Sequence, residues 1–413
     1  MASLACEGHF SDRNIPFGIA CSKTHPERQA VTRLGDSVLF LSDLAAHGLF
    51  SKIKGLPDGV FSHDFLNAFA ALGRSISRAV REVIQEIFRN GGLGAFPQGA
   101  VEELDAVTMH LPVYISDFTD FSCSVEHVKN AGRIIIDDER PPPAFFNFPI
   151  AYQGRASSVV VSGTPIQRPM GQYRDKTTSG APVVFGQSRA VDYELEFAAV
   201  VGKPLAMRQR LKATEADDHI FGFVVLNDWS ARDIQAFEMT PLGPANGKNL
   251  GTTISPWIVT LDALEPFRLP SPPRTLSVPP HLDDGGNGAY AVRMQAEVVV
   301  GHNATVTGVS QVQWLYWTIR QMAAHIASAG ASLRTGDLLA TGTVSGPGKG
   351  THGCLLEATE GGTSPVRLEN GSTRGYLEDG DAVRMTAVAG DGKSSVGWGE
   401  CVGQLLPAQP FNQ

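Results

Sequence analysis

The chain has 413 residues, with 34 Lys and Arg against 42 Asp and Glu, a formal net charge of −8 and 42% hydrophobic residues. That length supports one large domain or two around a sizeable core, and the composition excludes a disordered chain. The acidic balance argues against a general nucleic-acid or anionic-membrane binder, and no run reaches the roughly 18 apolar residues of a membrane span. The N-terminal stretch MASLACEGHFSDRN lacks a basic region followed by an apolar one, so no signal peptide is expected. Five cysteines, Cys6, Cys21, Cys123, Cys354 and Cys401, are odd in number and scattered. Neither a disulfide framework nor a Cys-x-x-Cys zinc site fits them, and the expectation is a soluble cytoplasmic protein.

In chain order, Phe65, Phe69, Leu72, Ile76, Val80, Ile84 and Ile87 recur at spacings of three and four. They predict one helix from about Asp64 to Arg89, stopped by Asn90-Gly91-Gly92. A domain boundary is expected between 112 and 113, where this helical part gives way to a strand-rich one, so that the domains are 1–112 and 113–413. The 44 glycines and 26 prolines suit a turn-rich β body. Short strand patterns at Ser158–Ser162, Tyr193–Val201, Ile220–Leu226, Pro256–Thr260, Ala291–Val300 and Val383–Val388 suggest a sandwich, barrel or roll. Pro266 to Pro280, with six prolines, reads as a surface excursion. A second helix is predicted from Ser310, as its N-cap, through Trp314, Trp317, Met322 and Ile326 to Gly330.

Chemistry concentrates in a few segments. In Asp192-Tyr193-Glu194-Leu195-Glu196-Phe197 a strand would put Glu194 and Glu196 on one face. Two like charges so placed either lie on a solvated edge strand or share a cation or proton. The apolar run Ile220–Leu226 ends at Asn227-Asp228-Trp229-Ser230, a carboxylate at a strand end before a helix that Ser230 would cap. Asp117 and Asp120 stand similarly after Val113–Ile115. Oxygen-only donors suit calcium or magnesium rather than zinc or copper. His127 follows Asp120 by seven residues, and Arg232 and Gln235 share one side of the helix after Ser230. The glycine-flanked Gly247-Lys248-Asn249-Leu250-Gly251-Thr252 would bring Lys248 close to a ligand. Gly342-Thr343-Val344-Ser345-Gly346-Pro347-Gly348-Lys349 has the wrong spacing for a phosphate loop, with Gly350 where Ser or Thr is required.

Asp117-Phe118-Thr119-Asp120-Phe121, Gly154-Arg155-Ala156-Ser157-Ser158, Asn227-Asp228-Trp229-Ser230-Ala231-Arg232-Asp233-Ile234-Gln235, Pro241-Leu242-Gly243-Pro244 and Gly342-Thr343-Val344-Ser345-Gly346-Pro347 together resemble the fumarylacetoacetase family. The likeness runs in order from Asn14-Ile15-Pro16-Phe17-Gly18 to Gly397-Trp398-Gly399-Glu400-Cys401. It implies a mainly β, α+β fold with a small SH3-like N-terminal domain and a C-terminal β-roll, in a homodimer. It also implies a metal-dependent hydrolase that cleaves a C–C bond in a 1,3-diketo acid. Fumarylacetoacetate is the default substrate, in tyrosine and phenylalanine catabolism, and no organic cofactor is needed. Position by position, the resemblance makes Asp120, Glu194, Glu196 and Asp228 the calcium ligands and associates Lys248 and Thr252, with Asp228, with magnesium. His127 matches the catalytic histidine, Glu357 its orienting carboxylate, and Arg232, Gln235 and Lys248 the oxyanion donors. Tyr152, Gln235 and Thr343 match substrate contacts. Three substrate positions depart: Ser122 and Met239 replace tyrosines and Ile136 an arginine, for which Arg133 or Arg140 could compensate. The alternative is therefore the same fold turned to a different β-dicarbonyl, as a biosynthetic hydrolase, decarboxylase or isomerase.

Overall fold

The computed structural model describes residues 8–409 except Thr275, Lys393 and Ser394, and Cys6 lies outside the described residues. The N-terminal part is a five-stranded antiparallel sheet in the order Val101–Glu103, Ser37–Phe40, Gln29–Leu34, Phe17–Ser22, Val107–His110. The periodic stretch behind it forms two helices, Asn67–Ala70 and Arg74–Gly91, rather than one. Gly73 between them has φ +85°, which an α-helix cannot continue through. The second helix ends at Gly91 with Gly92 at φ +64°, in keeping with the Asn-Gly-Gly stop.

The remainder is mainly β. One sheet runs Ala151–Gln153, Phe118–Phe121, Leu338–Ala340, Leu195–Val201, Ile220–Asp228, Thr252–Ile254, Val159–Val161, and Val259–Thr260 also pairs with Ile220–Asp228. A second sheet runs Asn303–Gln311, Val292–Val300, Ala382–Ala389, Val396–Leu406, Ile166–Gln167. The Leu195–Val201 strand is interior, so the solvated-edge reading of its glutamates is excluded. Leu195, Phe197 and Ala199 enter the core that also holds Met294, Ala296 and Trp398 of the second sheet. Ala198 and Val200 point the other way, into a cluster shared with Phe17, Phe69 and Ile84 of the N-terminal part. Both faces of the first sheet are thereby covered. Phe17 and Ile258 lock the N-terminal part on through two backbone hydrogen bonds of 3.0 and 2.8 Å.

Two local expectations need correction. Ser310 caps no helix. It pairs with Met294 in the long hairpin of Val292–Val300 and Asn303–Gln311, and ladder pairing outweighs the helical spacing of Trp314 and Trp317. The helix is Ile319–Ser328, with Thr318 and Gln321 forming its capping box. Ser230 does not cap Arg232–Glu238 either; its hydroxyl donates to the Asp228 carbonyl at 3.1 Å, and Ala231 occupies the cap position. Unforeseen was the helix Val125–Ile136, whose N-cap Ser124 accepts from the amide of His127 at 3.2 Å. No helix among the described residues is long and apolar enough to cross a membrane.

Gly342 shows how tightly the strand of Asp120 is held: at φ +73°, an added Cβ would meet the Phe121 carbonyl oxygen at 2.0 Å. Gly342→Ala should lower the urea midpoint, with the slope unchanged, by the equivalent of about 1–3 kcal/mol.

Candidate functional site

Strand register assembles a buried acidic centre. Asp120 lies opposite Tyr152 on one side and beside Ala340 on the other, while Asp228 lies opposite Thr252. Glu194 and Glu196 share the face of their strand that carries Ala198 and Val200 further along. Asp120, Glu194, Glu196 and Asp228, all buried, each bring a carboxylate oxygen to a common centre, these atoms lying within 4.8 Å of one another. Asp117, equally a candidate by its place after Val113–Ile115, stays exposed outside this group.

Two cations enter the centre. Lys248 Nζ lies 2.5 Å from Glu194 Oε2 and 2.6 Å from Asp228 Oδ2. Arg232 Nη1 lies 2.6 Å from Glu194 Oε1, and its Nε donates to Asp192 Oδ2 at 2.8 Å. Asp228 also accepts from Tyr152 Oη at 2.7 Å and Thr252 Oγ1 at 3.2 Å. Burial opposes every one of these charges. For Glu194 the nearby Lys248 and Arg232 outweigh it and hold the carboxyl below its ordinary range. Burial likewise opposes the charged forms of Lys248 and Arg232, yet the carboxylates beside them keep both firmly protonated. Asp120 and Glu196 are pushed well above the ordinary range, first by burial and then by neighbouring carboxylates.

Those two residues are the test of whether the centre fits a metal. Both oxygens of Glu196 and Oδ1 of Asp120 have no hydrogen-bond partner. Two buried cations thus face five buried carboxylates, Asp192 included. A bound divalent cation would satisfy the orphaned oxygens and replace the protons that burial otherwise retains. The four donors are oxygens, so a hard cation fits and a thiophilic one does not.

Beside this centre, His127 on the Val125–Ile136 helix places Nδ1 2.8 Å from Glu357 Oε2. Glu357 is buried and also accepts from Asn130 Nδ2 at 2.9 Å and Ser345 Oγ at 2.6 Å. Burial alone would raise its pKa, but the His127 charge and these hydrogen bonds hold it at about 2. An ionised carboxylate only accepts, so the nitrogen facing Glu357, Nδ1, carries a proton, and in the neutral imidazole the lone pair lies on Nε2. Cys354, with its Sγ 3.2 Å from Glu357 Oε2, makes a second compact group with these two. Glu357 is already filled by N–H and O–H donors there, so the arrangement is that of an oriented base.

The expected substrate contacts gather less completely. Gln235 Oε1 accepts from Arg232 Nη1 at 3.1 Å, which makes the side-chain N–H₂ group the donor it can offer a ligand. The buried Thr343 hydroxyl has no partner. Ser122 and Met239 are half-buried, and Met239 follows directly on the Arg232–Glu238 helix. Ile136 is 68% exposed at its helix end. Arg133 pairs with Glu360 at 2.7 Å and Arg140 with Asp138 at 2.6 Å. Each is engaged there at the surface. Sequence reading missed Asp192, Asn130, Ser345 and the Ser124 cap. Asp192 was detectable, since it continues the Glu194 and Glu196 alternation by one more step, and Ser124 three residues before His127 is a cap signature.

Carboxylates open to a cation beside a histidine polarised by a buried glutamate equip a chain for hydrolytic acid–base chemistry. Residues 13–112 match the family described as Fumarylacetoacetase N-terminal, and residues 117–405 match Fumarylacetoacetate (FAA) hydrolase C-terminal. The fumarylacetoacetase of Aspergillus fumigatus is 43% identical over 417 residues, covering 97% of this chain and 96% of its own. That of Homo sapiens is 38% identical over 415 residues, covering 98% of each. The solved fumarylacetoacetate hydrolase from psychrophilic Exiguobacterium antarcticum superposes with a TM-score of 0.53 over 96% of this chain and all of its own, and at 16% identity that likeness speaks for the fold alone. The chain belongs to the fumarylacetoacetase family.

Lys248→Met would leave Glu194 and Asp228 buried without their shared ammonium. In chelator its stability to urea should fall by about 3–5 kcal/mol, and saturating calcium should recover part of the loss. Glu357 gives a pH signature. Its pKa is depressed in the fold from 4.5 to about 2, so its contribution is complete above 4.5 and is lost as pH falls toward 2. Urea midpoints taken in chelator from about pH 6 to about pH 3 should therefore drop more steeply for the native chain than for Glu357→Gln.

Proposed function

We propose that the chain is a metal-dependent hydrolase that cleaves the C–C bond of fumarylacetoacetate to fumarate and acetoacetate. The observation that carries this reading is the pair of orphaned buried carboxylates, Asp120 and Glu196, beside the His127–Glu357 pair. Family membership over nearly the whole chain supports it. Asp120, Glu194, Glu196 and Asp228 would hold the cation, calcium or magnesium. Thr252 lies beside Asp228, and Lys248 would assist as a charge rather than as a ligand, because its protonated amine has no lone pair. When bound, the cation supplies a Lewis acid that polarises the 1,3-dicarbonyl and offsets the charge of the departing enolate.

The chain's own groups do the rest. His127 Nε2 takes a proton from water as the water oxygen attacks the carbonyl carbon, and Glu357 steadies the resulting imidazolium. Arg232, Lys248 and the amide of Gln235 meet the tetrahedral oxyanion in a buried site. The C–C bond then breaks as the carbonyl re-forms, its electron pair passes to the enolate, and His127 returns the proton to that carbon. Tyr152 and Thr343 would position the substrate.

The finer organisation supports the same reading. The division into 1–112 and 113–413 follows the two family matches, and the five short antiparallel strands suit an SH3-like N-terminal domain before a β-roll. A homodimer in the cytoplasm is the corresponding assembly and location. A second reading, turnover of a different β-dicarbonyl, is favoured by Ser122, Met239 and the exposed Ile136, with Arg133 and Arg140 engaged elsewhere.

Purified protein incubated with fumarylacetoacetate and a panel of acylpyruvates and neutral 1,3-diketones, with and without chelator, separates the two by mass analysis of products. Fumarate and acetoacetate, lost on chelation, are expected; products from another diketone alone would establish the second reading. His127→Ala should lower kcat by about 10²- to 10⁴-fold while cation binding survives, and Glu357→Gln should cost less.

A further inference from the structure

Asp192 lies two residues before Glu194, is wholly buried, and is not one of the four carboxylates of the acidic centre. Its Oδ1 accepts from the amides of Tyr193 and Leu355, both at 2.8 Å. Its Oδ2 accepts from the amide of Leu356 at 2.9 Å and from Arg232 Nε at 2.8 Å. Arg232 Nη2 also lies 2.7 Å from Oδ2 but is not aligned to donate to it. Leu355 and Leu356 open the Leu355–Ala358 helical turn, and Glu357 is its third residue. Backbone pairing fixes the same junction: Glu194 bridges to Cys354, and the Leu195 amide donates to the Gly353 carbonyl at 2.8 Å.

One carboxylate thus grips, on one side, the guanidinium that meets Glu194 and Gln235. On the other it grips the backbone that carries Glu357 to His127. Four aligned donors from three parts of the chain leave Asp192 one position, and hence leave Arg232 and Glu357 one separation. We propose that Asp192 is a positioning residue that couples Arg232 to the His127–Glu357 pair, so that oxyanion donor and base are held as one rigid unit. The proposal rests on the roles given above to Arg232 and His127.

Asp192→Asn is nearly isosteric but replaces one acceptor oxygen by an N–H₂ group that faces donors. Removing an outer positioning partner commonly costs about 10- to 100-fold in activity. For Asp192→Asn we expect a fall in kcat of that size with KM within about threefold and the bound cation retained at native stoichiometry. With Asp192 in place, Arg232→Lys and Glu357→Gln should be strongly non-additive in kcat, and in Asp192→Asn their effects should become additive. Native kcat in Asp192→Asn, or loss of the cation together with activity, would overturn the proposal, the latter by placing the residue's effect on the metal centre. Should Asp192→Asn not be recovered folded, ¹⁵N-histidine spectra of Arg232→Lys decide: the ring resonances of His127 should move, and unchanged resonances overturn the coupling. A His127→Ala variant with native turnover would instead remove the underlying reading, which keeps the two failures apart.

Discussion

Burying four carboxylates within 4.8 Å of one another constrains the whole molecule. Like charges in a desolvated space are expensive, and the chain answers the problem unevenly. Glu194 and Asp228 receive Lys248, Arg232, Tyr152 and Thr252, so their charges are largely met by protein. Asp120 Oδ1 and both oxygens of Glu196 have no hydrogen-bond partner. That asymmetry defines the site: one side is a preformed ion-pair network, and the other leaves buried oxygens that a cation would satisfy. The surrounding architecture follows from it. The strands that carry these residues are covered on both faces, by the second sheet and by the N-terminal part. The covering makes the centre dry, and dryness gives each charge its strength.

The proposed base is kept apart from this network by chemistry as much as by position. Glu357 has its oxygens occupied by His127, Asn130, Ser345 and Cys354, so it is a poor candidate for drifting onto a nearby cation. Those same hydrogen bonds preserve its negative charge despite complete burial, and that charge sets the tautomer of His127. The acidic centre and the base thus use carboxylates in opposite ways. In one, oxygens stay under-satisfied in the way a metal site requires; in the other, both oxygens are engaged and one orients an imidazole.

Much of this was legible in the sequence, for physical reasons particular to each segment. Glu194 and Glu196 were readable because strand period puts alternate residues together, and Asp228 because an apolar run must end where a charge begins. The same reading stopped one step of the alternation short of Asp192, which lies in the separate two-residue strand Val191–Asp192. The capped helix that presents His127 was hidden because Val125–Ile136 is short and carries no fully buried residue. Conversely, Trp314 and Trp317 mimicked a helical stripe while belonging to a 3₁₀ turn and a buried loop beside a hairpin. Gly73 broke a strongly periodic stretch, since one positive φ outweighs any number of well-spaced apolar residues. Partnerships such as Glu357 with His127 span 230 residues and leave no local trace; the family resemblance supplied that pair, and the fold gives it its geometry.

The substrate end of the site is built differently from its catalytic end. Asp120, Glu196 and Asp228 sit on paired strands whose register a single-residue slip would destroy. Ile136 is the last residue of a helix, Met239 directly follows one, and Ser122 directly follows a strand. Positions at the ends of elements can change side chain without moving the elements themselves, because little of the core depends on them. On the proposed reading, an isoleucine in place of an arginine at this exposed helix end would change which acyl group is gripped while leaving the acidic centre and the His127–Glu357 geometry untouched. On that reading the rigid sheet would set the reaction, and the element ends how selectively it is applied.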